Sequence, residues 1–326
     1  MKKVYVDKEI NEEVLKGKTI AIIGYGSQGH AHALNLKDSG FNVIVGLHDT
    51  SKSKEKAKSE GLDVFDVASA TSKADIVMML TPDEVMADVF NEHVKDNLVE
   101  GNYLAFGHGF NIHYNQIIAP NGVEVFMVAP KSPGHMVRRQ YQQGFGTPGL
   151  VAVLNDNQDT KNVAMAYAKA IGCGRSGILE TTFKEEVETD LFGEQVVLCG
   201  GVVELMKTGF EVLCEAGYSK EAAYFECVNE MKLIVDMIYE GGIKNMDFSV
   251  SNTAEYGQYA VGPRIIDSRT KEVMKEVLNE IKDGSFAKDF ILENKANNPK
   301  IHANRKMMEN HDIELVGENL RKLMKM

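Results

Sequence analysis

Up to about residue 180, short runs of apolar residues alternate with stretches of helical or polar character. Short, continuously apolar runs between helices are typical of strands buried on both faces of a parallel sheet. From residue 184 onward the sequence shows helical periodicity and no convincing strand. The pattern predicts an α/β domain with a doubly wound parallel sheet over residues 1–181 and an all-helical domain over 182–326. The predicted strands cover residues 19–23, 41–45, 75–80, 103–106, 123–128 and 150–154.

Composition excludes several classes of protein. The formal net charge of −11 argues against nucleic-acid binding, because such binding needs a basic face that neutralises phosphates. No apolar run approaches the roughly 18 residues that cross a bilayer, and residues 1–18 do not resemble a secretory signal. The cysteines lack the spacing of a zinc site or a disulfide framework. We therefore expect a cytoplasmic protein without membrane or nucleic-acid partners; its cysteines are Cys173, Cys199, Cys214 and Cys227.

A glycine-rich segment follows the first long predicted strand and opens a helix. It matches G-x-G-x-x-G, in which the glycines allow a tight turn and a close approach of the backbone to a pyrophosphate. The alternative is a plain glycine turn, but the strand–helix context favours a Rossmann-type dinucleotide site. The segment is Gly24, Tyr25, Gly26, Ser27, Gln28 and Gly29.

The end of the second strand bears on the choice between NAD and NADP. Asp49 can accept hydrogen bonds from a ribose diol and repel a 2′-phosphate, which favours NAD. Ser51, Ser53 and the neighbouring lysines can equally hold that phosphate, or the lysines can simply solvate the next helix. His48 stands at the start of this loop. The loop alone leaves both cofactors open.

Polar residues also follow three later strands. Asp83, His108, Lys131 and Gly134 all lie just beyond predicted strand ends. Ligands of open α/β sheets bind outside the carboxyl ends of the strands, so these residues are expected to line one rim of a pocket. His108, between two glycines, is a candidate proton donor or orienting group. The alternative for His108 is an ordinary surface histidine.

The helical half contains two pairs of acidic residues at a spacing of four, which puts each pair on one helix face. Asp190 and Glu194 form the first pair, and Glu226 and Glu230 form the second. Both pairs fall within apolar stripes, so burial of the four carboxylates is expected. Buried charges need cations, and a cluster of hard oxygen ligands suits Mg²⁺. The alternative is a set of buried ion pairs with arginines such as Arg264 or Arg269.

Taken together, these residues resemble the ketol-acid reductoisomerases, in their short, class I form. The resemblance extends over essentially the whole chain. The matching stretches are 24–33 (GYGSQGHAHA), 105–110 (AFGHGF), 130–135 (PKSPGH), 188–195 (ETDLFGEQ), 224–227 (YFEC) and 249–256 (SVSNTAEY).

The resemblance implies an enzyme of valine and isoleucine synthesis that converts 2-acetolactate, or 2-aceto-2-hydroxybutyrate, to a 2,3-dihydroxy-3-methyl acid. It implies that alkyl migration needs two Mg²⁺ ions and is followed by reduction with NADPH or NADH. It also implies a homodimer or dimer-based oligomer with a shared active site, and a knotted helical domain. The site would then lie between the two domains.

The resemblance also assigns roles to residues. Asp190 would bridge the two ions and Glu194 would complete one site, while Glu226 and Glu230 would reach in from a second subunit. Glu230 would also relay a proton. Ser251 would contact the substrate carboxylate, and His108 and Lys131 would line the reacting end; Ser51 and Ser53 match contacts of the family to the 2′-phosphate.

The chain departs from the family at the cofactor loop. His48 stands where the family commonly has arginine, and Asp49 has no acidic counterpart there. We therefore expect weakened preference for NADPH, with dual use or a shift towards NADH. Two competing functions come from other classes: a metal-independent, two-domain β-hydroxyacid dehydrogenase and a non-catalytic dinucleotide sensor.

Overall fold

The computed structural model describes residues 2–324. The chain packs into two units that divide after Thr189. Within the described residues, the first unit is α/β and the second is helical. The boundary at residue 181, inferred from the end of the strand pattern, stays a prediction.

Nine strands within residues 2–324 form one sheet. They are β1 (Val4–Tyr5), β2 (Thr19–Ile23), β3 (Asn42–Gly46), β4 (Asp63–Phe65), β5 (Ile76–Met79), β6 (Tyr103–Phe106), β7 (Glu124–Pro130), β8 (Gly149–Val153) and β9 (Ile178–Glu180). Their order across the sheet is β1-β9-β8-β7-β6-β5-β2-β3-β4. All described pairings are parallel except β1 with β9 and β7 with β8.

Helices cover both faces of this sheet, as alternation along β2 shows. Ile20 and Ile22 point into one apolar cluster, whereas Ala21 and Ile23 point into another on the opposite face. All four are fully buried, which explains why the strand is apolar throughout. The helices of this part are α1 (Ser27–Asp38), α2 (Lys54–Ser59), α3 (Val67–Ser72), α4 (Asp83–Val89), α5 (Phe110–His113), α6 (Gly134–Gln142), α7 (Gln158–Ala170) and α8 (Phe183–Phe192), which runs across the division.

The second unit has its own small core, in which Phe210, Ala223, Tyr224 and Ile313 are buried together. Its described helices are α9 (Gly200–Glu215), α10 (Lys220–Tyr224), α11 (Glu230–Ser249), α12 (Asn252–Ile265), α13 (Ser268–Lys282), α14 (Ser285–Lys295), α15 (Pro299–Glu309) and α16 (Asp312–Met324). Within α11, Gly242 has a φ of 77° and interrupts the helix.

Short helical turns of other types complete the chain. The 3₁₀ turns are Asp7–Glu9, Glu13–Leu15, Lys95–Asn97 and Cys173–Arg175. The π turns, a rare type that is often found at functional sites, are Phe90–Val94, Gly193–Leu198 and Phe225–Asn229.

The α/β half followed by a helical half confirms the fold class predicted from the sequence. The sheet is nevertheless mixed, since β1 and β8 join it antiparallel to a neighbour. Three strands, β1, β4 and β9, are missing from the predicted set, because each has only two or three residues and leaves too short an apolar run. Among residues 2–324, no helix has the length and apolar character needed to span a bilayer. The knot stays a prediction.

Candidate active site

The carboxyl ends of neighbouring parallel strands define the rim of the site. Ile23, the last residue of β2, pairs with Gly46 of β3 on one side and with Met79 of β5 on the other. The loops after these strands therefore begin at the same edge of the sheet, as predicted. Gly24 has a φ of 99°, and a Cβ there would lie 2.7 Å from the carbonyl oxygen of Leu80. Only glycine fits this turn.

The loop after β7 is fastened to the start of α1. The backbone N–H of His135 donates to Ser27 Oγ at 3.0 Å, and Gln28 Nε2 donates to the carbonyl oxygen of Ser132 at 2.9 Å. A Cβ on Gly134 would lie 2.2 Å from the backbone of Ser27. Gly134, predicted as a cofactor residue, thus has a packing role that the structure shows directly.

Tyr25 reaches away from the glycine turn to the chain segment after α2. Its hydroxyl donates to Glu60 Oε2 at 2.7 Å, and His30 Nε2 lies 3.0 Å from Glu60 Oε1. Burial acts to raise the pKa of Glu60, but the hydrogen bonds from Tyr25 and His30 outweigh it and the pKa is lowered. Burial and the bond to Glu60 raise the pKa of Tyr25. Glu60 therefore ties the glycine turn to the helix that follows the cofactor loop.

The cofactor loop is largely exposed. The Asp49 side chain is 91% exposed, and its Oδ1 lies 2.8 Å from Lys54 Nζ. Ser51 Oγ accepts from the backbone N–H of Ser53 at 3.3 Å. Because Lys54 neutralises Asp49, the acid repels a 2′-phosphate less than its sequence position suggested.

A buried carboxylate connects His108 and Lys131. Glu186, on α8, is 1% exposed. Its Oε1 lies 2.8 Å from Lys131 Nζ, and its Oε2 lies 3.0 Å from His108 Nδ1 and accepts from the backbone N–H of Gly109 at 3.2 Å. Burial acts to raise the pKa of Glu186, but His108 and Lys131 outweigh it and lower the pKa to about 2. The arrangement fixes the imidazole and the ammonium beside each other.

The sequence reasoning missed Glu186. Its partners lie 55 and 78 positions earlier in the chain, so no local pattern links them. One signal was available: Glu186, Asp190 and Glu194 continue the spacing of four along one helix. The loop that carries His108 also packs tightly against α8, since a Cβ on Gly109 would lie 2.7 Å from Val187. His108 is consequently 20% exposed, less open than its two glycine neighbours suggested.

Both predicted metal-binding pairs lie where α-helical and π-helical geometry meet. Asp190 is on α8 and Glu194 is in the π turn Gly193–Leu198, while Glu226 is in the π turn Phe225–Asn229 and Glu230 begins α11. Asp190 also follows Glu186 by four residues on α8, a spacing that places both on one helix face. Two rare turns at the two pairs are an independent indication of function.

The prediction that all four carboxylates are buried is wrong for the single chain. Glu194, Glu226 and Glu230 are exposed, and Asp190 is partly exposed. The apolar stripes around them are exposed only in part: Leu198 is 67% and Leu233 56% exposed, whereas Val187 and Leu191 are buried. A carboxylate within an apolar stripe was expected to be buried, but a stripe is buried only where another surface covers it.

Two other predicted residues sit at helix starts. Ser251 caps α12, accepting from the backbone N–H of Ala254 at 3.2 Å, and it is exposed. Asp83 is the first residue of α4, and its carbonyl oxygen accepts from Asn111 Nδ2 at 3.0 Å. Substrate and cofactor contacts of these residues stay predictions.

Family models cover nearly the whole chain. Residues 14–177 match the family described as acetohydroxy acid isomeroreductase, NADPH-binding domain. Residues 183–326 match the family described as ketol-acid reductoisomerase, C-terminal domain.

Individual relatives agree with these matches. Over 325 residues the chain is 56% identical to the ketol-acid reductoisomerase (NADP(+)) of Petrotoga mobilis (strain DSM 10674 / SJ95), covering 99% of this chain and 98% of the relative. It is similar to the structure of an NADH-preferring ketol-acid reductoisomerase from an uncultured archean, with a TM-score of 0.96, 48% identity and coverage of 98% and 99%. A semialdehyde dehydrogenase NAD-binding protein from Cupriavidus necator shares the fold alone, at a TM-score of 0.64, 18% identity and coverage of 82% and 99%.

Proposed function

The chain belongs to the ketol-acid reductoisomerase family, and we propose which of its residues bind the cofactor, the metal ions and the substrate. Membership confirms the resemblance seen in the sequence and makes the protein an oxidoreductase that isomerises and reduces an acetohydroxy acid in branched-chain amino-acid synthesis. It disfavours both the metal-independent dehydrogenase and the sensor. The observation that carries the residue assignment is the contact of Glu186 with both His108 and Lys131.

The turn before α1 fits a dinucleotide. Gly26 has a φ of −79°, and a Cβ there would meet none of the non-neighbouring atoms of residues 2–324 within 4 Å. The space in front of Gly26 is therefore open for a pyrophosphate, which the N-terminal amides of α1 would bind. When bound, the nicotinamide cofactor supplies the hydride. We propose that the chain uses both NADPH and NADH, because Lys54 offsets the charge of Asp49.

The acidic pairs fit magnesium. Asp190, Glu194, Glu226 and Glu230 offer only hard oxygen ligands, the type Mg²⁺ prefers. When bound, the ions supply Lewis-acid stabilisation of the negative charge that develops on the substrate oxygens. Glu230 then accepts and passes on the proton of the substrate hydroxyl.

The remaining polar groups orient the substrate. Glu186 holds His108 and Lys131, so that the imidazole and the ammonium face the reacting end without rotating. Ser251 binds the substrate carboxylate. The salt bridge also positions the Lys131 ammonium to donate a hydrogen bond to a substrate oxygen.

A homodimer in which two copies build each site explains the exposed helical surface. Tyr239 and Phe248, on α11, are 87% and 89% exposed in the single chain. Contiguous exposed apolar surface marks protein–protein contact. We propose that a second copy covers this surface and brings its own Glu226 and Glu230 close to Asp190 and Glu194 of the first copy. We also propose a cytoplasmic location, which the four free cysteines support.

The test is oxidation of NADPH or NADH in the presence of 2-acetolactate, followed by absorbance and run with Mg²⁺ or with excess EDTA. We expect turnover with either cofactor only when Mg²⁺ is present. Reduction that survives complete chelation would contradict the metal assignment. The dihydroxy acid product should form at the same rate as the cofactor is oxidised.

Gly26→Ala should separate cofactor binding from folding. The added methyl group lies more than 4 Å from every non-neighbouring atom that the structure describes, but it fills the space proposed for the pyrophosphate. We therefore expect at least about tenfold weaker dinucleotide binding with little change in Tm. Calorimetric titration and thermal unfolding measure the two effects.

Gly29→Ala is the contrasting variant for that experiment. Its Cβ would lie 2.2 Å from the carbonyl oxygen of Gly24, so this change should lower Tm sharply. Unchanged dinucleotide affinity in Gly26→Ala would show that the cofactor does not approach this turn.

A further inference from the structure

Two histidines from distant parts of the sequence meet at the cofactor loop. His48 is exposed, two residues beyond the end of β3, and His93 lies in the π turn Phe90–Val94. Their ring centroids are 5.2 Å apart, with the planes at 81°. His93 is not part of the loop and has no role in the site described above.

The position of the pair relates it to the 2′-group of a dinucleotide. The end of the second strand of such a fold is where the 2′-hydroxyl or 2′-phosphate of the adenosine ribose is bound. An imidazole changes charge between about pH 5 and 8, and a protonated ring donates charge-assisted hydrogen bonds to a phosphate. Two such rings side by side are chemically suited to bind a phosphate with a strength that depends on pH.

Charged groups of both signs stand on the loop and on the π turn. On the loop, Asp49 is paired with Lys54 at 2.8 Å, and Lys52 adds an ammonium group. On the π turn, the Glu92 carboxylate lies 3.7 Å from His93 Nε2.

Three elements contact this π turn: α3, α4 with Asp83, Glu84 and Asp88, and the 3₁₀ turn Lys95–Asn97 with Lys95 and Asp96. Of these, α3 adds little charge towards it. At its start Asp66 accepts from the backbone N–H of Ser69 at 2.9 Å. At its end Lys73 lies over the ring of Phe65, 5.3 Å from the ring centre. Both charges are thus engaged within or beside α3.

We propose that His93, together with His48, determines cofactor specificity by binding the 2′-phosphate of NADP(H) as the two imidazoles take up protons. NADP(H) is then preferred at lower pH, and the preference declines as the pH rises. The proposal rests on the dinucleotide function proposed above and deepens it. It also explains how a loop that carries Asp49 can still accept a phosphate.

The experiment is calorimetric titration of the full-length protein with NADP⁺ and with NAD⁺, in buffers of different ionisation enthalpy, at about pH 6.5, 7.2 and 8. The number of protons exchanged on binding is the decisive measurement. A phosphate bound by lysines alone releases protons, because nearby cations lower its second pKa of about 6. A phosphate bound by imidazoles takes protons up.

We expect net proton uptake on binding NADP⁺ and none on binding NAD⁺. His93→Gln should bind NADP⁺ about tenfold more weakly at pH 6.5 and abolish much of the uptake, with NAD⁺ affinity unchanged. His48→Gln should act in the same direction. His302→Gln, at an exposed position on α15, is the matched control and should change neither quantity.

Two results would overturn the inference. Net proton release by the unmodified protein on binding NADP⁺ would do so even if a variant failed to fold. Unchanged NADP⁺ affinity in a folded His93→Gln variant would also overturn the inference. If the variant still bound both dinucleotides, the proposed function would stand. Failure of both dinucleotides to bind would overturn the cofactor assignment and the inference with it.

Discussion

Replacing Glu230 with Gln is expected to lower kcat for 2-acetolactate by at least about a thousandfold. The amide keeps the size of the side chain but removes the charge and one ligand oxygen proposed for Mg²⁺. Metal-ion stabilisation of developing charge is worth several kcal/mol, and about 4 kcal/mol corresponds to this factor. Asp190→Asn should have an effect at least as large. Steady-state kinetics at saturating Mg²⁺ measure both.

The controls for these substitutions separate chemistry from folding and from cofactor binding. Dinucleotide affinity should not change in Glu230→Gln, because the cofactor is proposed to bind the sheet edge of the first unit. Glu276→Gln, at an exposed position on α13, should retain full activity. Substantial turnover by Glu230→Gln would remove this carboxylate from the metal site.

Mixing the two inactive variants tests whether a second copy completes each site. If Glu230 acts across the subunit boundary, a mixed dimer of Asp190→Asn and Glu230→Gln has one doubly substituted site and one intact site. Random reassociation then restores about a quarter of the unmodified activity. If both residues serve the same chain, every site in the mixed dimer carries one substitution and no activity returns.

Whether a feature could be predicted from the sequence depends on how far apart in the chain its interacting residues lie. The strand end, glycine turn and helix start at Gly24–Gly29 are local, so spacing alone was enough to predict them. Glu186 is different, because its meaning depends on partners 55 and 78 positions away. The contact of His48 with His93 was hidden for the same reason.

The acidic pairs show a second limit of sequence reasoning. Spacing correctly placed Asp190 with Glu194, and Glu226 with Glu230, on or beside helices that carry apolar stripes. Spacing could not say how much of each stripe the same chain covers, and in the single chain part of each stripe is exposed. Local periodicity identifies a surface that needs a partner, whereas the partner itself is set by tertiary or quaternary contacts.

Glu186→Gln is expected to reduce the free energy of unfolding at pH 7 by about 3 kcal/mol. The folded protein lowers the pKa of this carboxyl from 4.5 to about 2, and a tenfold change in proton affinity corresponds to about 1.36 kcal/mol. This stabilisation is fully present above about pH 4.5 and is lost as the pH falls towards 2. The difference between the two proteins should therefore shrink over that range, which denaturant unfolding at several pH values measures.

The neighbouring glutamate offers a matched control for that measurement. Glu185 is on the same helix and pairs with Lys2, but its side chain is 49% exposed, so Glu185→Gln should change stability by less than about 0.5 kcal/mol. The same substitution one position apart thus compares a buried carboxylate with a solvated one. If Glu186→Gln were as stable as Glu185→Gln at pH 7, the charge of Glu186 would not be what holds His108 and Lys131 together, and their alignment would have to come from packing around Gly109.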